Sequence, residues 1–152
     1  MKQIRIKVNK IIERFLVVIL VGMVLNVIWQ VFTRFFTSSP SAFTNELARY
    51  LMIWLGILGA AYISGKQEHV AIDFFVKKLN NSLRRFIDRF VLLSILGFAF
   101  FVMIIGGINL VYITLKLEQY SPSLQIPLAL VYSIIPISGL LIIFYKVTQE
   151  KS

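Results

Sequence analysis

The chain reads as an all-α integral membrane protein with four transmembrane helices, short amphipathic interfacial helices and both termini cytoplasmic. Three observations predict this. Hydrophobic residues make up 58% of 152 residues and the mean hydropathy is +0.81, well above the usual range for a soluble domain. Long uncharged runs recur four times, and with no water in the bilayer core only helices or closed barrels can span it. The third observation is where the charge falls. Lys2, Arg5, Lys7, Lys10 and Arg14 precede the first run, Lys66, Lys77, Lys78, Arg84, Arg85 and Arg89 separate the second from the third, and Lys146 and Lys151 follow the last. Only Arg34, Arg49 and Lys116 remain for the opposite side, which is the positive-inside pattern. The net charge of +9 is thereby explained without nucleic acid, for which no stacking platform or motif is present. The spans are placed at 12–36, 43–65, 87–115 and 126–146 within a single domain, 1–152.

Met1 to Phe15 interleaves basic residues with Ile4, Val8, Ile11, Ile12 and Phe15, an apolar stripe on a helix that leads into the first span at the interface. The uncharged stretch that follows is longer than a signal-peptide core, so the N-terminus is expected to be retained. Asn26 and Gln30, four residues apart, are expected to face another helix, because an unpaired amide in hydrocarbon is costly. Ser39 then reads as a helix cap with Pro40 at the first helical position.

The second span carries Glu46, Arg49 and Tyr50 along one face of its first turns, and Gly56 with Ala60 forms a small-xxx-small pair that admits a close helix. From Val70 to Arg85, Ile72, Phe75, Val76, Leu79 and Leu83 recur at helical spacing, which reads as a short amphipathic helix on the inner membrane face. Phe90 to Leu115 is uncharged, and at about 1.5 Å per residue it exceeds the roughly 30 Å hydrocarbon core, so this span should tilt or project. Gly97, Gly106 and Gly107 are its close-approach points. Pro127 begins the last helix and Pro136 should kink it.

Several functions are disfavoured by these residues. Cysteine is absent, which removes disulfides, thiolate nucleophiles and Cys-ligated metals together, and the single His69 cannot supply two axial haem ligands from one chain. Glu13, Glu46, Asp73, Asp88 and Glu118 all lie near span ends or in loops, whereas an autonomous ion-coupled carrier would hold an ionisable group at mid-depth. Ser94 and Ser138 lack the companions of an intramembrane protease. The expectation is a non-enzymatic partner subunit; the alternatives are a membrane anchor or assembly subunit of another complex, or an autonomous small exporter.

The run Asn45-Glu46-Leu47-Ala48-Arg49-Tyr50-Leu51, then Trp54-Leu55-Gly56, Gly59-Ala60-Ala61 and Glu68-His69-Val70-x-x-Asp73, resembles the small membrane subunit of tripartite ATP-independent periplasmic (TRAP) transporters, the DctQ-like family. Leu124-Gln125-Ile126-Pro127 and Tyr132-Ser-Ile-Ile-Pro136 look like the opening of that family's last helix. The resemblance implies a bacterial inner-membrane subunit that scaffolds a large membrane subunit and helps receive a periplasmic substrate-binding protein. The implied task is Na⁺-coupled symport of an organic acid of the C4-dicarboxylate or sialic acid class, with Na⁺ on the large partner and no cofactor on this chain. By position, Glu46, Arg49, Tyr50, Trp54, Gly56 and Ala60 become candidate interface residues, and His69 and Asp73 candidate structural residues of the inner turn. The plainer readings are a carboxylate favoured at a helix N-terminus for Glu46 and a solvated side chain for His69.

Overall fold

The computed structural model describes residues 2–37, 41–66 and 81–149. Outer and inner below follow the charge bias, with the chain's basic ends inner. Helix α1 is Lys2–Thr37, α2 is Ala42–Gly65 and α3 is Asn81–Gly97. The rod of α3 continues without a break through a π-helical stretch, Phe98–Gly106, into α4, Gly107–Lys116. After an outer loop come α5, Leu128–Tyr132, and α6, Ile134–Gln149. Among the described residues, four rods are long and apolar enough to cross a membrane: Gln3–Phe36, Ala42–Gly65, Arg85–Lys116 and Leu128–Thr148. The protein is an all-α, multi-pass membrane protein.

The first rod is one helix from Lys2 onward, so the expected interfacial lead-in forms its opening turns. Of the predicted stripe, Val8 and Ile12 turn toward the core while Ile4 and Ile11 stay exposed. Ile12, Ile19 and Asn26, seven residues apart, are the buried line of α1 against α2. Asn26 donates its amide N–H to the Thr44 carbonyl at 2.8 Å, the helix-to-helix use expected of a buried amide. Helix α2 starts later than Pro40: Ser41 is the N-cap, and no side chain caps the helix there. Instead the Thr44 hydroxyl turns back onto the Ser41 carbonyl at 2.9 Å; Ser39 and Pro40 lie outside the described residues. The expected amphipathic helix over 70–85 also falls largely outside them. Its last residues, from Asn81, belong to the third rod rather than to a separate helix.

The rods lie side by side in the order first, second, fourth, third. This is an open array and not a closed bundle, and large apolar side chains remain exposed along every rod. Its buried centre is Ile12, Leu58, Ile134 and Tyr145, near the inner end where the first, second and fourth rods meet. Three glycines, Gly65, Gly107 and Gly139, permit the closest approaches, Gly139 facing Met103 Cβ at 2.9 Å from its would-be Cβ. A Cβ on Gly107 would sit 2.9 Å from Pro136 Cδ, and one on Gly65 would sit 2.8 Å from the Tyr145 ring, so only glycine fits at either place. The other two glycines expected as contact points, Gly97 and Gly106, meet no neighbouring rod. Pro136 has no N–H for the Tyr132 carbonyl, and the fourth rod accordingly breaks at Ser133, between α5 and α6.

Candidate functional site

At the outer end, α4 terminates with Glu118 in the left-handed region at φ 47°, and the chain folds into a compact loop from Leu117 to Pro127. The loop closes on itself: Ser121 N donates to Ile126 O at 2.9 Å, Gln125 N to Ser121 O at 2.9 Å, and Leu128 N to Gln119 O at 2.9 Å. Gln125 also takes a positive φ of 56°, which lets the turn reverse before Pro127. Glu46 reaches this loop from the second turn of α2. Its Oε2 accepts the Ser121 hydroxyl and, at 3.1 Å, the backbone N–H of Ser123. A carboxylate accepting an O–H and an N–H from one turn is a strong, charge-assisted arrangement. It fastens the loop between the third and fourth rods to the head of the second.

Arg49, one turn further, is exposed and makes no hydrogen bond or ion pair with Glu46. The structure gives Glu46 to the loop and leaves Arg49 exposed, acting on the carboxylate only through space. Tyr50 is half-buried. Trp54 turns inward: its indole N–H donates to the Val131 carbonyl at 3.0 Å, and its ring lies 6.0 Å from that of Phe15. It therefore joins three rods of this chain and is not a free contact residue. Gly56 and Ala60 are exposed with Arg49, Met52 and Ile63 in one stripe, and a Cβ on Gly56 would meet nothing within 4 Å. The small pair is not used for packing within the chain. His69 and Asp73 lie outside the described residues.

A second polar cluster, not anticipated from the sequence, closes the inner end. The Arg5 guanidinium donates to the Gly65 carbonyl, the Tyr145 hydroxyl donates to Asn9 Oδ1 at 2.7 Å, and Lys66 Nζ lies 4.7 Å from the Tyr62 ring centroid. Arg5 and Asn9, one turn apart, were the available signal, since they share a face with Val8 and Ile12. Among the described residues no three His, Cys, Asp or Glu side chains come together as a metal site would require. Ser138 is fully buried and its hydroxyl has no partner, so no base stands ready to activate it. Among the described residues, the polar groups at both ends fasten one helix to another.

Comparison with known proteins bears on this geometry directly. The profile of the family described as Tripartite ATP-independent periplasmic transporters, DctQ component, matches residues 23–149, which takes in the outer part of the first rod, the other three rods and both sides of the outer clasp. The chain belongs to the DctQ family. A Haemophilus influenzae strain Rd protein named as a TRAP transporter small permease is 29% identical over 145 residues, covering 93% of this chain and 86% of that one. The C4-dicarboxylate TRAP transporter small permease protein DctQ of Rhodobacter capsulatus is 36% identical over 102 residues, 66% of this chain but 44% of the relative. A stretch of 66 residues, 43% of this chain, is 36% identical to 11% of the sialic acid TRAP transporter permease protein SiaT of H. influenzae strain 86-028NP.

Proposed function

We propose that this chain is the non-catalytic small membrane subunit of a TRAP transporter in a bacterial inner membrane, with both termini cytoplasmic. It scaffolds the large membrane subunit and helps seat the periplasmic substrate-binding protein. The transported solute is an organic acid of the C4-dicarboxylate or sialic acid class, taken up with Na⁺ held by the large subunit, and this chain binds no cofactor of its own. The observation that carries the scaffold reading is the open array. Its second rod is flanked within the chain on two sides yet keeps an exposed stripe, Met52, Gly56, Ala60 and Ile63, where another helix can approach. The similarity of one stretch to part of a longer permease protein supports a place beside such a subunit. The substrate class follows from the names of the relatives. The test is reconstitution. This chain alone in liposomes should take up neither a C4-dicarboxylate nor sialic acid under a Na⁺ gradient, and uptake should appear when the large subunit and binding protein are added. Uptake by this chain alone would end the scaffold reading.

A further inference from the structure

We infer that the four-helix array lies inclined in the bilayer, tilted within its own plane, so that the lipid belt crosses the rods diagonally. The partner is lipid hydrocarbon, and the inference stands without the transporter reading. The register between neighbouring rods carries it.

Arg5 meets the Gly65 carbonyl and Asn26 meets the Thr44 carbonyl. The two helices therefore run antiparallel in step, 26 − 5 and 65 − 44 both being 21 residues. In that register Arg14 is level with Gly56, midway along α2. Residues 29–37 pass the head of α2 at Ala42 by about 14 Å. Arg5, Lys7, Lys10, Glu13 and Arg14 thus lie beside the apolar inner half of α2. The uncharged run from Phe15 to Thr33 lies beside and beyond its polar start at Glu46 and Arg49.

At the opposite edge the offset is reversed. Gly107 abuts Pro136, and Gly139 abuts Met103 and the Ala99 carbonyl. Extending that register puts the end of α6 level with about residues 90–94. The first turns of α3, with exposed Phe86 and Phe90, hang past it. One edge overhangs outward and the other inward.

In an upright array, exposed Arg14 would sit near the bilayer midplane while Val31, Phe32 and Phe35 stood in water; both arrangements are costly. Inclining the array corrects both edges at once. The midpoint of Phe15–Thr33 is level with Glu46, and that of Phe90–Leu115, carried across through Trp54 with Val131 and Gly65 with Tyr145, is level with about residues 60–63 of α2. The offset is roughly 22 Å over three helix spacings of about 8–10 Å, an inclination on the order of 40°. That is the upper end of the range for membrane helices. The uncharged length of the third rod, about 39 Å, then spans about 30 Å along the normal, the thickness of the hydrocarbon.

The chain has no cysteine, so single cysteines can be introduced without background. The full chain in nanodiscs of phosphatidylethanolamine and phosphatidylglycerol, with both faces open to reagent, should carry Val31→Cys, Phe90→Cys or, as the water-exposed control, Glu118→Cys. An aqueous maleimide should label the first two at least tenfold more slowly than the third. Nitroxides at those two positions should respond more to oxygen than to an aqueous nickel chelate. Infrared dichroism should report a mean helix inclination of about 30–40°. Labelling of Val31→Cys and Phe90→Cys within about twofold of the control, or a mean inclination below about 15°, overturns the inference. Protection that appears only when the large subunit is added overturns it too, because protein and not lipid would then cover these turns.

Discussion

Glu46 shows how much a single acceptor can be asked to do. Its carboxylate is the acceptor for Ser121 Oγ and Ser123 N, and removing it leaves two donors of one tight turn without a protein partner. In Glu46→Ala, backbone amide exchange at Ser123 and Leu124 should quicken at least tenfold, with helices α1 and α2 unchanged. Glu46→Gln retains an acceptor oxygen but loses its charge, and should fall between. Exchange at wild-type rates in Glu46→Ala would show that the loop holds itself closed. None of this was legible in the sequence, where Arg49 stands three residues away and Ser121, the actual partner, stands 75 residues away. Local spacing proposes local partners. Asn26 was easier: an amide in an apolar run must find an acceptor on a neighbour, although only the fold identifies that acceptor as Thr44.

At the scale of the element, the rods were readable because each is a continuous apolar run, and the break in the fourth followed from Pro136. Helix starts were less readable, since Ser39, Pro40 and Ser41 all carry start signals and the backbone alone decides among them. The two kinds of glycine could not be told apart by sequence. Gly107 has Pro136 N at 3.1 Å from its would-be Cβ, and backbone does not move aside as a flexible side chain would. Gly107→Ala should therefore destabilise the third and fourth rods by about 1–3 kcal/mol, measured by unfolding in mixed detergent. Gly56→Leu meets open space and should leave the unfolding of the isolated chain unchanged. If the exposed stripe is an assembly face, the same change should lower co-purification with the large subunit at least tenfold; unchanged co-purification would remove Gly56 and Ala60 from the interface.

For the whole molecule, topology follows from the placement of basic residues, and it can be read with single cysteines. In right-side-out vesicles, an impermeant thiol reagent should reach Glu118→Cys and not Lys7→Cys. Labelling of Lys7→Cys alone would invert the chain. Ser121 would be a poor choice of reporter, because it is 1% exposed and its hydroxyl is committed to Glu46. The sequence conveyed class, number of rods and orientation bias; it did not convey the order in which the rods stand. That order rests on contacts such as Trp54 with Val131 and Asn9 with Tyr145, which join residues 77 and 136 positions apart.

The clasp at Glu46 also has a history in time. Ribosomes add roughly 5–20 residues per second, so the carboxylate is made about 4–15 s before Ser121 exists to receive it. During that interval the first two rods already possess their own fastenings, Asn26 on Thr44 and Arg5 on Gly65. The nascent chain is thus a hairpin with one unsatisfied acid at its outer, closed end, awaiting a second hairpin. Arrival of the Ser121 turn both neutralises that need and certifies that the later half has been threaded in the correct direction, since a reversed pair would deliver its loop to the other side of the membrane.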